Sequence, residues 1–536
     1  MSAMLAVVTP EEMAAIDKAT IDEMSKEHLK PLEVLISRAG EAVAAKARKM
    51  LGKCYGRQVL VLTGKGNNGK DGKEAARRLR NWGAQVLEVA VLEGQAFEAA
   101  GQSMAGETCL TALPKSFQQV TLVIDAVCGT GLSRPYILPD LVKSLSADIP
   151  VLAVDIPSGV CGLTGQVLGE ALRATATVTF GAFKPGLLFG EGKIYSGEVE
   201  VADIGLNASG TSASGTSAYV FTDDSLAAML PKRDANAHKW NAACWVVGGS
   251  PGMAGAPLLA ANAAYRGGAG YVRLSTPGTQ DLVTEDLDSE NSDSEDFVSE
   301  GFSSEGFTNG DLASEGFPAS QEVVRFALPE KCWGEAVAQA SNRFHSLVVG
   351  PGLSPCEQTQ QSLQQLLESD AVISGKLAMV IDGGALEALG KNFLEAPIVA
   401  QKSQVVLTPH DREYVYLFGS PPGTDRIKAT RDLAKATGAV VLLKGSTTVV
   451  SHPDGSVLLS AAGDQRLATA GTGDVLAGVI GALLAQGLDA FQAAALGAEL
   501  HGRAARLGVA HGLVASDICD LLPQAWQPFL FEARTS

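Results

Sequence analysis

The chain is short of the features that would place it in a membrane, a disulfide scaffold or a nucleic-acid complex. Across 536 residues no run approaches the roughly 18 consecutive apolar residues that a membrane-spanning helix needs. The start, Met1-Ser2-Ala3-Met4-Leu5-Ala6-Val7-Val8-Thr9-Pro10, lacks the basic segment and long apolar core of a secretory signal, so a cytoplasmic address is expected. The 8 cysteines are scattered, with no Cys-x-x-Cys pair and no clustered His/Cys spacing, which argues against a disulfide framework and a structural zinc site. Basic residues are outnumbered, 42 Lys and Arg against 59 Asp and Glu, giving a net charge of -17. Neither nucleic acid nor an anionic membrane is therefore expected as a partner, and any anionic ligand must be held locally.

What the chain has in quantity is glycine, 59 residues, within a composition 46% hydrophobic and 19% charged. That suits a soluble α/β protein with many strand-to-helix turns, and the length calls for two domains. From residue 1 to 206, amphipathic helical segments (Glu11 to Met24, Leu32 to Met50, Glu74 to Trp82) alternate with short β-branched runs. The runs are Val59 to Leu62, Val86 to Leu92, Leu122 to Asp125, Val151 to Asp155 and Thr177 to Phe180. The alternation predicts right-handed βαβ units and a parallel sheet covered on both faces, with ligands at the carboxyl ends of its strands. A small-residue tract, Ala208-Ser209-Gly210-Thr211-Ser212 repeated at once, marks a linker over 207–221. A second α/β series follows over 222–536, with strands at Trp245 to Val247, Leu347 to Val349, Met379 to Asp382, Val405 to Leu407 and Val440 to Leu443. Residues 285–321 interrupt it with an acidic, Ser/Gly-rich stretch in which Ser-Glu-Gly-Phe recurs, expected to be a disordered insertion.

In the first half, Thr63-Gly64-Lys65-Gly66-Asn67-Asn68-Gly69-Lys70-Asp71-Gly72 follows a strand. Its glycines allow a backbone to approach a ligand, and its Asn and Asp oxygens suit a hard cation, a sugar or an amide. Asp125-Ala126-Val127-Cys128-Gly129-Thr130-Gly131-Leu132-Ser133-Arg134-Pro135 and Asp155-Ile156-Pro157-Ser158-Gly159 each put a carboxylate where a strand stops. Lys184, in Phe183-Lys184-Pro185-Gly186, is a further candidate, for a phosphate. Together these loops resemble the NAD(P)H-hydrate epimerase domain, a Rossmann-like three-layer α/β family, over nearly all of 1–206. The resemblance implies that Asn68, Asp125 and Ser158 ligate K+, with Asp125 also catalytic. It further implies that Asn67, Asn68, Gly69, Lys70, Asp71, Gly129, Thr130, Gly131, Leu132, Ser133, Arg134, Pro135 and Asp155 line a hydrated nicotinamide nucleotide. Lys70 stands where that family has glycine, and a lysine is costlier than glycine at positive φ.

In the second half, Gly463 to Gly478 forms a glycine-rich turn that ends in Asp474 and opens into an apolar helical stretch. Freed amides and the positive end of a helix can hold phosphate oxygens, and Asp474 stands where a base is wanted. Lys444-Gly445-Ser446-Thr447-Thr448 adds amides, hydroxyls and a cation, completing the parts of a phosphoryl-transfer centre. With Gly248 to Ala256, Gly350-Pro351-Gly352 and Thr408-Pro409-His410, the assembly resembles the ADP-dependent NAD(P)H-hydrate dehydratase, a ribokinase-like α/β family. The resemblance implies that Ala256, Gly352, His410 and Asp474 contact the hydrated NADH or NADPH, and that Lys444, Gly445, Ser446, Thr447, Thr448 and Gly473 hold ADP, with Mg2+ as a candidate companion ion. Asp474 would be the base while ADP phosphorylates the ring hydroxyl, and loss of phosphate would restore the double bond. One departure is Asp382-Gly383-Gly384-Ala385-Leu386, where that family has Asp-Ala-Asp-Ala-Leu.

The order of the halves matches bifunctional nicotinamide-repair enzymes. The residues also admit a ribokinase-like small-molecule kinase fused to a nucleotide-binding domain, or a chain in which one half only binds or scaffolds. By analogy with such folds a homo-oligomer is expected.

Overall fold

The computed structural model describes residues 4–92, 95–98, 110, 112–132, 134–206, 218–279, 322–390 and 404–532. Most of the expected linker, all of the acidic insertion and Ser133 lie outside the described residues. The chain forms two compact units, one spanning Leu5–Val220 and the other Phe221–Ser536 with the first four residues.

In the first unit the strands are β1 (Leu5–Val7), β2 (Gln58–Thr63), β3 (Gln85–Leu92), β4 (Gln95–Glu98), β5 (Val120–Ala126), β6 (Val151–Val154), β7 (Ala176–Phe180), β8 (Glu198–Ala202) and β9 (Ala218–Val220). Its main sheet runs β4-β3-β2-β5-β6-β7-β8, parallel except for the β3/β4 pair. Val59, Leu60, Val61 and Leu62 are all fully buried, the continuous apolar run of a strand covered on both faces. Helices α1 (Pro10–Met24), α2 (Pro31–Leu51) and α3 (Asn67–Asn81) serve this sheet. Strand order reverses between β2 and β5, and the loops at their carboxyl ends open the crevice where ligands collect.

The helix expected from Glu74 begins instead at Asn67. The Asn-Asn-Gly-Lys-Asp-Gly stretch is thus helical backbone, and Lys70 is not at positive φ. Its glycines answer to close packing rather than to a left-handed turn. A Cβ on Gly69 would lie 2.0 Å from the Gly64 carbonyl oxygen, and one on Gly72 2.5 Å from the Ala126 side chain. Lys70 is exposed and helical in φ, so it carries no backbone strain.

The second unit contains β10 (Ala243–Val247), β11 (Tyr271–Ser275), β12 (Val324–Arg325), β13 (Ser346–Val349), β14 (Ala378–Ile381), β15 (Val405–Leu407), β16 (Val440–Leu443), β17 (Thr448–Ser451) and β18 (Val457–Ser460). Within this unit the order is β18-β17-β16-β15-β14-β13-β10-β11-β12. It is parallel from β16 to β12, with an antiparallel β16-β17-β18 extension that the sequence pattern did not suggest. Here the order reverses between β13 and β10. The helices that matter for the site are α4 (Gly255–Arg266), α5 (Gly384–Leu389), α6 (Asp411–Phe418), α7 (Arg426–Thr437), α8 (Thr472–Ala485) and α9 (Ala490–Leu507).

Helix α8 is buried on every side from Val475 to Ala485. Small residues make this close fit. A Cβ on Gly478 would lie 2.1 Å from the Ala260 carbonyl oxygen of α4, and one on Gly481 2.4 Å from Val348 of β13. Replacing Gly478 by alanine should destabilise the second unit by about 1–3 kcal/mol, the usual cost of overpacking. Calorimetric melting of the two proteins checks this, and an unchanged transition would contradict the packing described.

Candidate functional sites

In the first unit a cavity of about 500 Å³ opens at the carboxyl ends of β2 and β5. Asn67, Asn68, Asp71, the Gly129–Leu132 turn, Arg134 and Asp155 line it, together with Asp17 of α1 and Lys184. Gly69, Lys70 and Pro135 are not on its wall, nor are Asp125 and Ser158. Asp125 is 1% exposed. It accepts hydrogen bonds from the Ser158 amide at 2.8 Å and the Ser158 hydroxyl at 2.6 Å. Burial raises its pKa, and the bonds from Ser158 and Val127 work against that. A group so enclosed acts on a cavity ligand only through what it holds in place.

Beside it, Asn68 donates from Nδ2 to the Cys128 carbonyl at 2.9 Å, while its buried Oδ1 has no protein partner. Such an orphan acceptor costs about 1–3 kcal/mol if left dry. Asp155 takes a left-handed backbone at φ 65°, which is strained for a non-glycine residue and clusters at functional sites. Its Oδ1 accepts from Lys184 Nζ at 2.7 Å and Thr179 Oγ1 at 3.0 Å. Lys184, proposed as a phosphate ligand, is 1% exposed. Its ammonium also donates to Thr179 Oγ1 and the Phe180 carbonyl, at 2.9 and 3.0 Å, so its three protons are already engaged. Asp71 is driven up to about 8 by burial and then by the charges of Asp155 and Asp17, with Lys70 opposing. Burial likewise raises Asp17, with Lys184 lowering and Asp155 raising it. The sequence pattern missed Asp17, because one acid on an amphipathic helix looks like any other.

In the second unit the site gathers at the ends of β14, β15 and β16 and the start of α8. Lys444 Nζ lies 2.7 Å from Asp382 Oδ1 and 3.6 Å from Glu413 Oε2. Thr408 Oγ1 donates to the same Asp382 oxygen at 2.7 Å. A Cβ on Gly473 would sit 3.4 Å from Lys444 Nζ, which brings Lys444, Gly473 and Asp474 together. Gly471, at φ 90°, makes the turn into α8, placing Asp474 in the first turn of the helix, where the free amides and the dipole favour anions.

Asp474 is raised to about 7, by burial first and then by Asp382, with Lys444 lowering and Glu413 raising it. Burial pulls Lys444 down, but Asp382 and Glu413 more than offset it, so the ammonium is held charged. Gly445 and Ser446 are exposed, Thr447 is buried, and Thr448 opens β17. His410 caps α6: its Nδ1 accepts from the amides of Arg412 and Glu413 at 3.0 and 3.2 Å. That use of the Nδ1 lone pair leaves Nε2 as the protonated nitrogen.

Gly352, at φ 69°, has no room for a Cβ, which would lie 2.6 Å from the Met253 carbonyl and 3.2 Å from Ala256. Ala256 and Gly352 are therefore adjacent. Asp382 and Glu413 were not expected as site residues, although both follow strands whose ends were recognised. Gly383, at φ 54°, precedes α5, and a Cβ on Gly384 would lie 1.8 Å from the Leu353 carbonyl oxygen. His501 of α9 is buried, and its imidazole is pushed down to about 4 by burial and by Lys444, against a backbone contact with Thr472. It is therefore neutral. Among the described residues no group of three His, Cys, Asp or Glu side chains is arranged to hold a metal, and no helix is long and apolar enough to cross a membrane.

The profile of the NAD(P)H-hydrate dehydratase family matches residues 318–525, and that of the YjeF-related protein N-terminus matches 32–186. A bifunctional NAD(P)H-hydrate repair enzyme of Moorella thermoacetica is 33% identical over 99% of this chain and 98% of its own length. One of Salinibacter ruber is 34% identical over 97% of this chain and 95% of its own. A Bacillus subtilis ADP/ATP-dependent NAD(P)H-hydrate dehydratase, crystallised with ATP and Mg2+, is 28% identical with a TM-score of 0.45, covering 57% of this chain and 97% of its own.

The carboxylate cluster makes a prediction independent of any reaction. Asp382→Asn removes the charge that, after burial, does most to raise Asp474, so the Asp474 pKa should fall from about 7. Carboxyl-selective NMR titration measures it, and a value that stays put would show that the two groups are uncoupled.

Proposed function

This chain belongs to the bifunctional NAD(P)H-hydrate repair enzymes, and from that premise we propose a division of labour between its units. The first unit interconverts the R and S hydrates of NADH or NADPH, and the second dehydrates the S form at the expense of ADP, releasing AMP and phosphate. The observation that carries the second assignment is the meeting of Asp474, Gly473 and Lys444 at the amino end of α8.

The proposed chemistry follows from that meeting. The hydrate binds against Ala256, Gly352 and His410. The α8 amides and Lys444, with the exposed Gly445–Ser446 turn, take the diphosphate of ADP. Asp474, ionised above about pH 7, accepts the proton of the ring hydroxyl as its oxygen bonds to the terminal phosphorus and AMP departs. The hydroxyl has become a phosphate ester, a better leaving group. Loss of inorganic phosphate with a proton from the neighbouring ring carbon restores the double bond. His410 Nε2–H is a donor suited to an oxygen of the substrate. Any Mg2+ would arrive on the nucleotide's phosphates, in keeping with a site that has no dedicated three-ligand cage among the described residues.

In the first unit the residues present suit K+. The unpartnered Asn68 Oδ1 and the buried Asp125 carboxylate are the hard oxygen donors such an ion takes, and Ser158 holds the carboxylate in position. The ion would supply a fixed positive charge that keeps Asp125 ionised and the Cys128–Gly129 turn in place.

Hydrated NADH regains its near-ultraviolet absorbance when dehydrated, so racemic hydrate with ADP reports both activities. Complete recovery is expected from the intact chain, with free phosphate rather than a stable phosphorylated nucleotide as product. Asp474→Asn should lose at least about 100-fold in ADP-dependent recovery, and retention of the full rate would refute Asp474 as the base. Because the ionised form is the active one, the wild-type dehydration rate should climb with pH through about 7. Replacing K+ by choline should lower the melting temperature of the first unit, and this shift should vanish in Asn68→Ala. A melting point indifferent to K+ would remove the ion from the account.

A further inference from the structure

The cavity of the first unit presents three carboxylates in unlike surroundings. Asp155 Oδ1 accepts from the Lys184 ammonium at 2.7 Å and from the Thr179 hydroxyl at 3.0 Å, so this carboxyl is ion-paired. Asp71 is 8% exposed and faces the same cavity from the second turn of α3. Among the described residues no cation pairs with it. Its neighbour Lys70 gives its ammonium to Asn67 Oδ1 at 3.1 Å, and Lys184 is committed to Asp155, Thr179 and Phe180. Arg134 shares the cavity wall without forming an ion pair with Asp71. Asp17, from α1, brings a further negative charge. A buried carboxyl without a counter-ion and between two acids keeps its proton, whereas Asp155 has a lysine partner. Two acids in such unlike surroundings suit opposite roles in proton transfer.

The substrate's chemistry needs such a pair. Hydration of the enamine in a dihydronicotinamide puts the proton on the β carbon and the hydroxyl on the carbon bonded to the ring nitrogen, and R and S differ there. To invert this centre, one carbon–oxygen bond must break and another form on the opposite face.

We propose that Asp71 is the proton donor of the epimerisation and Asp155 the acceptor, acting through a ring iminium ion. The inference rests on the epimerase reading of this unit. Asp71 gives its proton to the ring hydroxyl, which leaves as water with the bonding pair, while the nitrogen lone pair forms the C=N bond. Water then adds to the other face and yields a proton to Asp155. Proton exchange with solvent water then returns Asp71 to the acid and Asp155 to the carboxylate, so no oxidant, reductant or second substrate is consumed.

The test uses the full-length protein with the separated R and S hydrates of NADH, no ADP, and ¹⁸O-labelled water, followed by chromatography and mass spectrometry. Wild type should exchange the two epimers with ¹⁸O entering the ring hydroxyl at the same rate. Its kcat should fall above about pH 8, where Asp71 loses its proton. Asp71→Asn should lose at least about 100-fold in kcat with little change in KM and a wild-type melting curve. Should that variant melt early, Asp17→Asn decides: removing one of the charges that raise Asp71 should move the alkaline limb to lower pH. An Asp71→Asn protein that melts normally and keeps its kcat, epimerisation without ¹⁸O entry, or an alkaline limb unmoved by Asp17→Asn would each overturn the proposal. A wild-type chain that does not interconvert the epimers would instead remove the epimerase reading, and the proposal with it.

Discussion

Helix α8 constrains the second unit more than any other element. It is an apolar helix enclosed on all sides, and such burial demands small residues wherever another backbone crosses, as Gly478 does against Ala260. With its body wedged between α4 and the sheet, its first turn has little freedom. Gly471 alone makes the left-handed bend that starts it. The polar groups of the site are then delivered by strand ends that meet this fixed point: Asp382 after β14, Thr408 after β15 and Lys444 after β16. Pre-organisation of that kind is what phosphoryl transfer needs from a protein, since positioning and charge supply most of the catalysis.

Both units hold carboxylates away from water next to a lysine, but the lysine does a different task in each. In the first, Lys184 is fully bonded to Asp155, Thr179 and Phe180 and makes no ion pair with Asp71. In the second, Lys444 is shared among Asp382, Glu413 and Asp474 and stays partly accessible. Three acids around one cation leave a net negative charge at the site proposed to receive phosphates, which raises Asp474. The same excess leaves Asp474 neither permanently charged nor permanently neutral near pH 7, as the proposed base must be.

Much of this was legible in the sequence because the chain repeats one device, a buried strand ending in Gly, Asp or Lys. The apolar strands of both parallel sheets and the placing of Lys444 and Asp474 at a strand end and a helix start followed from periodicity and punctuation, and Gly473 from the resemblance to the dehydratases. The antiparallel β17 and β18, the carboxylates Asp382 and Glu413 and three further things did not. The start of α3 was hidden because Asn-Asn-Gly-Lys-Asp-Gly has turn composition, and only the tight approach of Gly64 and Ala126 shows why a helix needs glycine there. Asp17 was invisible because its importance comes from a fold neighbour over fifty residues away. The loss of Lys184 to Asp155 could not be foreseen, since a lysine after a strand gives no hint of which oxygens surround it.

The Gly383-Gly384 segment bears on how this sequence can change. With Leu353's carbonyl oxygen 1.8 Å from where a Cβ on Gly384 would stand, no side chain can be introduced there by altering that codon alone. The loop after β13 would have to retreat first, and Gly350, itself pressed on Asp382, is part of that loop. The two loops are therefore coupled: a side chain can enter one only if the other moves.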